Sequence, residues 1–361
     1  MTGLAVYIHI PYCRTCCPYC DFVRAPVPGG VPEAYTGALR TEIARFEGPA
    51  RAGSVFFGGG TPSLLSERAL GRILDALHRR FEMAGAEITL EANPDDVTPG
   101  LADAWKRLGI NRVSLGAQHF DDAVLRYLGR RHDAATALRA CGHVGARFAN
   151  WSIDLMFGVP GRGAWDATLA RTVELGPPHV ACYSLTYERG TPFAARAAEA
   201  PDEDEVLARY RAAEAALAGY AHYEVSNFAV AGRMCRHNLT YWRNEAYAGF
   251  GTGAYGFAGG ARVRNHGDTA RYLADPGGKE EVIPLSAREC KVETLIQHFR
   301  LRSGIGKGYY AARFGADLHA DFGGGLDALV GRGLVEETDT HFRPTAEGFY
   351  LNNEIGLALL D

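Results

Sequence analysis

The chain has no apolar run approaching the roughly 20 residues that a helix needs to cross a bilayer, which excludes a membrane-spanning class. Its first residues, Met1-Thr2-Gly3-Leu4, lead straight into a strand-like segment with no basic stretch ahead of an apolar one. No secretory signal is therefore expected, and the expected location is cytoplasmic. Nor is there an excess of charge of one sign: 38 Lys and Arg stand against 42 Asp and Glu, a formal net charge of −4. A protein that tracks nucleic acid carries a broad basic surface, so nucleic acid is not an expected partner. What the chain does have is bulk. Its 361 residues are 47% apolar, enough for a sizeable core, and the length suits one large domain and one small one.

Cysteine is unevenly placed. Cys141, Cys182, Cys235 and Cys290 are scattered and read as reduced, mostly buried thiols. The other four fall within Tyr12-Cys13-Arg14-Thr15-Cys16-Cys17-Pro18-Tyr19-Cys20-Asp21-Phe22. Thiolates this close rarely serve packing; soft sulfur selects an iron–sulfur cluster or zinc. Two ligand sets compete. Cys13, Cys17 and Cys20 give C-x3-C-x2-C, one thiolate short of the usual four for a 4Fe-4S cluster, which leaves one iron free for a substrate or cofactor. The rival is Cys13-x2-Cys16 with Cys17-x2-Cys20, a four-thiolate zinc site. Structural zinc usually draws its pairs from separated segments, and adjacent Cys16 and Cys17 would strain a tetrahedral shell. A structural disulfide does not suit a cytosolic chain. In the first set Cys16 is a spare thiol on the loop.

Strand and helix patterns alternate through the first two thirds. Apolar runs at 4–10, 54–57, 87–91, 112–116, 151–157 and 180–185 predict buried strands. Helical patterns at 32–46, 67–81, 100–108, 122–128, 134–144 and 165–175 follow them in turn, and a helix at 202–218 precedes a last strand at 222–225. This is an α/β chain with a mostly parallel sheet under covering helices, open or closed into a barrel. Chemistry-bearing residues cluster just after the strands. Gly58-Gly59-Gly60-Thr61-Pro62 lets backbone approach a ligand closely. Glu91, in Glu91-Ala92-Asn93-Pro94, can accept hydrogen bonds from an amine or ribose, and Gln118 sits at the end of the fourth strand. Arg130 can hold a carboxylate bidentately, while Arg131 reads as a solvated helix end. Asp154 lies inside an apolar strand, which is costly unless it meets a partner. His119 is either an ordinary hydrogen-bonded histidine or a ligand to metal or heme. After Arg264 the composition changes. Gly277-Gly278-Lys279-Glu280-Glu281 reads as an exposed turn and domain boundary, and helices from Ser286 followed by strands at 334–337 and 340–344 suggest a winged-helix-like unit.

Together these stretches resemble one family. C-x3-C-x2-C with an aromatic, Tyr19, before its last cysteine is similar to the signature of the radical S-adenosylmethionine enzymes. Tyr7-Ile8-His9-Ile10-Pro11 and Cys17-Pro18-Tyr19-Cys20-Asp21-Phe22 resemble the oxygen-independent coproporphyrinogen III oxidase-like group, and within it most of all the heme chaperone branch, HemW. The glycine loop, the E-x-N-P segment, Leu128-Gly129-Arg130-Arg131-His132, Ile153–Gly161 and Tyr183–Pro192 are similar to that family's motifs, as is Cys235-Arg236-His237-Asn238-Leu239-Thr240-Tyr241-Trp242. There are departures. His119 stands where the family usually has serine, and Thr252 and Tyr255 replace a proline and a histidine in Tyr247–Gly256. Gln297-His298-Phe299-Arg300-Leu301 differs from the usual L-G-L-R-L.

The resemblance implies a partial (β/α)6 TIM-like barrel with a small C-terminal winged-helix-like α+β domain. Residues 1–232 would form the barrel, 233–276 a connecting segment, and 277–361 the HemN-like domain. It implies a 4Fe-4S cluster on Cys13, Cys17 and Cys20, whose open iron binds the amino and carboxylate groups of S-adenosylmethionine. Tyr7, Tyr19, Gly59, Gly60, Thr61, Glu91, Gln118, Arg130 and Asp154 would line the nucleoside site. His237, Asn238, Tyr241 and Trp242 would hold heme, with Cys235 as an alternative ligand; otherwise their aromatics would simply close the barrel mouth. No residue is assigned a catalytic role.

The function so implied is that of a heme chaperone. It would bind heme and pass it to respiratory proteins, with an electron donor such as a flavodoxin or ferredoxin and peripheral membrane contact during transfer. The alternative is an oxygen-independent coproporphyrinogen III oxidase, in which a 5′-deoxyadenosyl radical takes hydrogen from two propionate side chains that then lose carbon dioxide. Two absences weigh against it. The oxidases carry a long extension before the cluster, where this chain has twelve residues, and a further cysteine two positions past the last ligand, where it has Phe22. A radical methyltransferase is a third reading, disfavoured by H-N-x-x-Y-W. A zinc-stabilised binding module is a fourth, of another class.

Overall fold

The computed structural model describes residues 3–161 and 164–360. At its centre lies a sheet of twelve strands. Six consecutive ones are parallel: β1 (Leu4–Ile10), β2 (Ala52–Gly59), β3 (Glu87–Ala92), β4 (Arg112–Gln118), β5 (Trp151–Phe157) and β6 (His179–Ser184). Helices carry the chain back between them: α1 (Glu33–Arg45), α2 (Glu67–Arg80), α3 (Pro99–Arg107), α4 (Asp122–Tyr127) with α5 (Ala134–Gly145), and α6 (Ala164–Leu175). Ser66, Thr98, Asp121 and Asp133 start α2 to α5 by accepting backbone N–H groups that would otherwise go unpaired. The strands are covered on both sides, which is why they read as continuous apolar runs. Ile8, Val55, Leu90, Val113, Leu115 and Ile153 are fully buried and pack with Leu39, Leu70, Ile73 and Trp105 of the helices in one core.

The sheet extends past both edges of this parallel set. After α7 (Glu203–Ala216) come β7 (Ala221–Glu224) and β8 (Asn227–Ala229), an antiparallel hairpin whose second arm pairs with β6. The single strand expected at 222–225 is therefore the outer arm of that hairpin. On the other side, α8 (Arg236–Trp242) is followed by β9 (Tyr247–Phe250), which runs parallel to β1 with Ala5 beside Tyr247. The connecting segment expected at 233–276 thus contributes a strand to the barrel sheet. Gly249 makes the strand possible, because a Cβ at that position would lie 1.9 Å from the Tyr255 carbonyl oxygen. The strands β10 (Tyr255–Ala258), β11 (Ala261–Asn265) and, after α9 (Thr269–Ala274), β12 (Lys279–Pro284) complete that side. The turn expected at 277–281 ends at Gly278, and Lys279 already begins β12. The outermost strands, β12 and β7, are not joined to each other, so the ring is incomplete.

The remaining chain forms α10 (Ala287–His298), β13 (Ile305–Gly306), α11 (Lys307–Phe314), α12 (Leu318–Gly331), β14 (Val335–Glu337), β15 (His341–Pro344), α13 (Ala346–Tyr350) and α14 (Asn352–Ala358). Leu295, Tyr310, Leu326, Phe342 and Ile355 give it a core of its own. Helices with a small antiparallel sheet match the winged-helix-like expectation. It is strapped to the barrel edge. The Val225 N–H donates to the Arg300 carbonyl at 3.1 Å, and the Arg302 N–H to that of Tyr223 at 3.0 Å. Glu214 of α7 accepts from Arg302 at 3.0 Å and Tyr350 at 2.5 Å, and lies 3.0 Å from His222 Nδ1. Among the described residues no helix is long and apolar enough to cross a membrane.

Candidate functional site

A cavity of about 680 Å³ runs through the barrel, from the C-terminal ends of the strands to their N-terminal ends. At the upper rim, the loop after β1 places Cys13, Cys17 and Cys20 on its wall, while Cys16 is not part of it. Backbone bonds fix this loop: Val27 N–H to the Cys13 carbonyl at 2.8 Å, Cys20 N–H to that of Cys17 at 3.2 Å, and Gly60 N–H to that of Ile10 at 2.8 Å. Burial pushes the Cys13 thiol up to about 11 and raises that of Cys20, so a metal must displace their protons to bind. Among the described residues no three His, Cys, Asp or Glu side chains converge tightly enough for a single metal ion. Three thiols on one wall suit a cluster, in which each sulfur meets a different iron.

Next to the cysteines, Gly59 adopts φ of +109°, and a Cβ on Gly60 would come within 2.8 Å of the Ile10 carbonyl oxygen and the Tyr12 nitrogen. The Gly59 N–H donates to Glu91 at 3.2 Å. Burial, then the Asp154 carboxylate, pushes Glu91 up to about 8. Burial also raises Asp154, against hydrogen bonds from Ser152 at 2.9 Å and Ser114 at 3.0 Å. Arg130 joins three elements. It donates to Asn93 at 2.5 Å and to the Gly116 carbonyl at 2.9 Å, and reaches Tyr19 at 3.4 Å and the Cys17 sulfur at 3.5 Å. Gln118 accepts a hydrogen bond from Tyr183 and holds φ of +65°, an uncommon value for a residue with a side chain. Tyr7, Tyr19, Gly59, Gly60, Thr61, Glu91, Gln118, Arg130 and Asp154 all face this one cavity. His119 does not. It is buried against Trp165, 3.0 Å from Thr168 Oγ1, with its pKa pushed down to about 4 by burial. Arg131 is half-exposed, 3.6 Å from Asp95.

The Cys235–Trp242 stretch lies at the opposite end from the cluster loop. Glu87, the first residue of β3, accepts the N–H groups of Arg236 at 2.9 Å and His237 at 3.3 Å, a carboxylate at the start of α8. The helix therefore closes the barrel floor, where the sequence suggested the mouth. His237 is buried, with Nδ1 2.9 Å from Ser54 Oγ and Nε2 2.9 Å from the Tyr241 hydroxyl, and its ring stacks on Phe56. Burial, then Arg112, pushes it down to about 3, so the imidazole is neutral. Asn238, Tyr241 and Trp242 share the cavity wall with it. Cys235 is off that wall, its thiol pushed up to about 12 by burial.

Sequence reasoning missed the polar groups of the floor. His179 bridges Ser152 at 2.8 Å and Tyr223 at 2.9 Å, and Ser152 passes the chain on to Asp154. Arg112 is buried, and Arg300 lies over the Trp242 ring at 4.4 Å. A signal was there: Arg112 and His179 open strands that are otherwise apolar, and charge in such a place is costly.

The Radical SAM superfamily profile matches residues 7–173, and the HemN C-terminal domain matches residues 285–351. The heme chaperone HemW of Bacillus subtilis (strain 168) is 33% identical to this chain over 99% of both. That of Escherichia coli (strain K12) is 34% identical over 99% of this chain and 98% of its own. The solved structure of coproporphyrinogen III oxidase (HemN) from Escherichia coli superposes with a TM-score of 0.84 over 99% of this chain and 90% of that one, at 22% identity, which shows the shared fold. Barrel, cysteine loop and C-terminal unit thus define a radical SAM protein of the HemN-like class, a class that implies a 4Fe-4S cluster and S-adenosylmethionine. End-to-end identity narrows this further: the chain belongs to the HemW family.

Proposed function

We propose that this protein is a cytoplasmic heme chaperone that binds heme and hands it to respiratory and other heme-requiring proteins. One observation carries the reading: its likeness to the HemW relatives covers 99% of the chain, barrel and C-terminal unit alike. Cys13, Cys17 and Cys20 would hold the 4Fe-4S cluster, which together with S-adenosylmethionine supplies one-electron chemistry at the rim. The chain supplies the rest. Glu91, largely protonated, can donate a hydrogen bond where Asp154 accepts one, and Arg130 holds the cysteine loop to β3 and β4. Phe56, Tyr183 and Met156 keep the space between rim and floor largely apolar. On the floor, His237, Asn238, Tyr241 and Trp242 would face heme. Iron at His237 Nε2 would take the place of the Tyr241 hydroxyl. A flavodoxin or ferredoxin would deliver electrons, and any contact with a membrane during transfer would be peripheral.

The test gives anaerobically reconstituted protein heme and coproporphyrinogen III separately. Heme uptake without conversion of coproporphyrinogen is expected; its decarboxylation would establish the oxidase instead. His237→Ala should weaken the heme titration, and a titration equal to the parent's would move the iron ligand elsewhere.

A further inference from the structure

Arg112, Arg300 and Trp242 line the cavity wall, and each keeps a buried N–H without a hydrogen-bond partner: Nε of the two arginines and Nε1 of Trp242. They come from three distant parts of the chain, the first residue of β4, the segment after α10, and the last residue of α8. Arg112 is only 2% exposed. Among the described residues neither guanidinium forms an ion pair or a side-chain hydrogen bond. The carboxylates near them are engaged elsewhere: Glu87 at the start of α8, Asp154 with Ser114 and Ser152, and Glu224 with Asn227. Glu224 keeps one buried oxygen unpartnered, yet it is not on the cavity wall. Tyr223 and Cys235 also face Arg112, and Tyr210 faces Arg300; all three are protonated at neutral pH.

Arginine and tryptophan nitrogens can donate but not accept. A buried guanidinium without a partner is costly, and two such side chains lining one cavity call for an acceptor, best an anion. The planar fork of arginine matches a carboxylate. Arg300, set over Trp242, is already oriented by the ring beneath it. We infer that the barrel floor is a carboxylate subsite, formed by Arg112, Arg300 and Trp242, that takes the propionate groups of a tetrapyrrole. The inference rests on the heme reading above and gives the macrocycle a direction: its apolar body lies along Tyr241 and Trp242, and its acidic edge points away from the cysteine loop.

The experiment titrates the full-length reconstituted protein with heme and with heme dimethyl ester, whose propionates are blocked. The parent should bind the free acid about tenfold or more tighter than the ester. Arg300→Gln and Arg112→Gln should each bring the acid toward the ester while leaving the ester's affinity where it was. Arg112 is buried and its variant can fail to fold; the ester comparison on the parent needs no substitution. Equal binding of acid and ester by the parent overturns the subsite and leaves the three donors to water, as does an equal loss of both ligands in the variants. A parent that takes up neither porphyrin overturns the heme reading first, and the subsite with it.

Discussion

Glu91 titrates in the native protein near pH 8 and in the unfolded chain near its ordinary 4.5. Between those values the native state binds the extra proton, so stability falls as pH rises through the window. His119, His132, His237 and His298 are held low by burial and act in the opposite sense, but only below 6.5, their ordinary value. Above 6.5 the histidines drop out, while Glu42, Asp154 and Glu224, also raised by burial, act in the same sense as Glu91. The melting temperature of the protein without its cluster should drop between pH 6.5 and 8, and Glu91→Gln should lessen the slope; parallel slopes would contradict the assignment. The cysteines allow a second test at this scale. Cys20→Ala should abolish iron incorporation and its visible absorption, whereas Cys16→Ala should keep both. Equal loss in the two variants would point to a four-thiolate site.

At the scale of the element, the join between β2 and the cysteine loop depends on one missing side chain. A methyl group on Gly60 would meet backbone atoms of Ile10 and Tyr12, so Gly60→Ala must push the loop off the strand end. Iron incorporation should fall well before folding does. Gly100→Ala, where nothing lies within 4 Å of the added carbon, should leave both intact. Iron content with circular dichroism on each variant decides it. The six parallel strands and their helices were legible because burial on two faces writes an apolar run. β9 was not, because Gly249 carries the same letter in a strand that it carries in a loop. The helix α8 was hidden for a related reason: it has seven residues and no side-chain cap of its own, and a carboxylate from β3 holds its first turn.

At the scale of the whole molecule, Glu214, which sits beside His222 of β7, links the barrel to the C-terminal unit through Arg302 and Tyr350. Glu214→Ala should cost about 1–3 kcal/mol, the worth of hydrogen bonds to a charged acceptor. It should also speed protease cleavage between residues 276 and 286; an unchanged digest would show that the strand-like contacts of Arg300 and Arg302 suffice. The rim of the cavity could be read from motifs, since each lies within a few residues of a strand end. Of the floor, the Cys235–Trp242 motif gave His237, Asn238, Tyr241 and Trp242 but not the arginines beside them. Arg112, Trp242 and Arg300 come together only after β4, α8 and the segment beyond α10 have converged, and no local pattern records that meeting.

The first strand also sets an order of events during synthesis. β1 is flanked on one side by β2, made soon after it, and on the other by β9, so Ala5 waits for Tyr247. Until some two thirds of the chain has left the ribosome, the seam beside the cysteine loop lies open. The wall on that side of the loop is thus built from residues that follow the loop by more than two hundred positions.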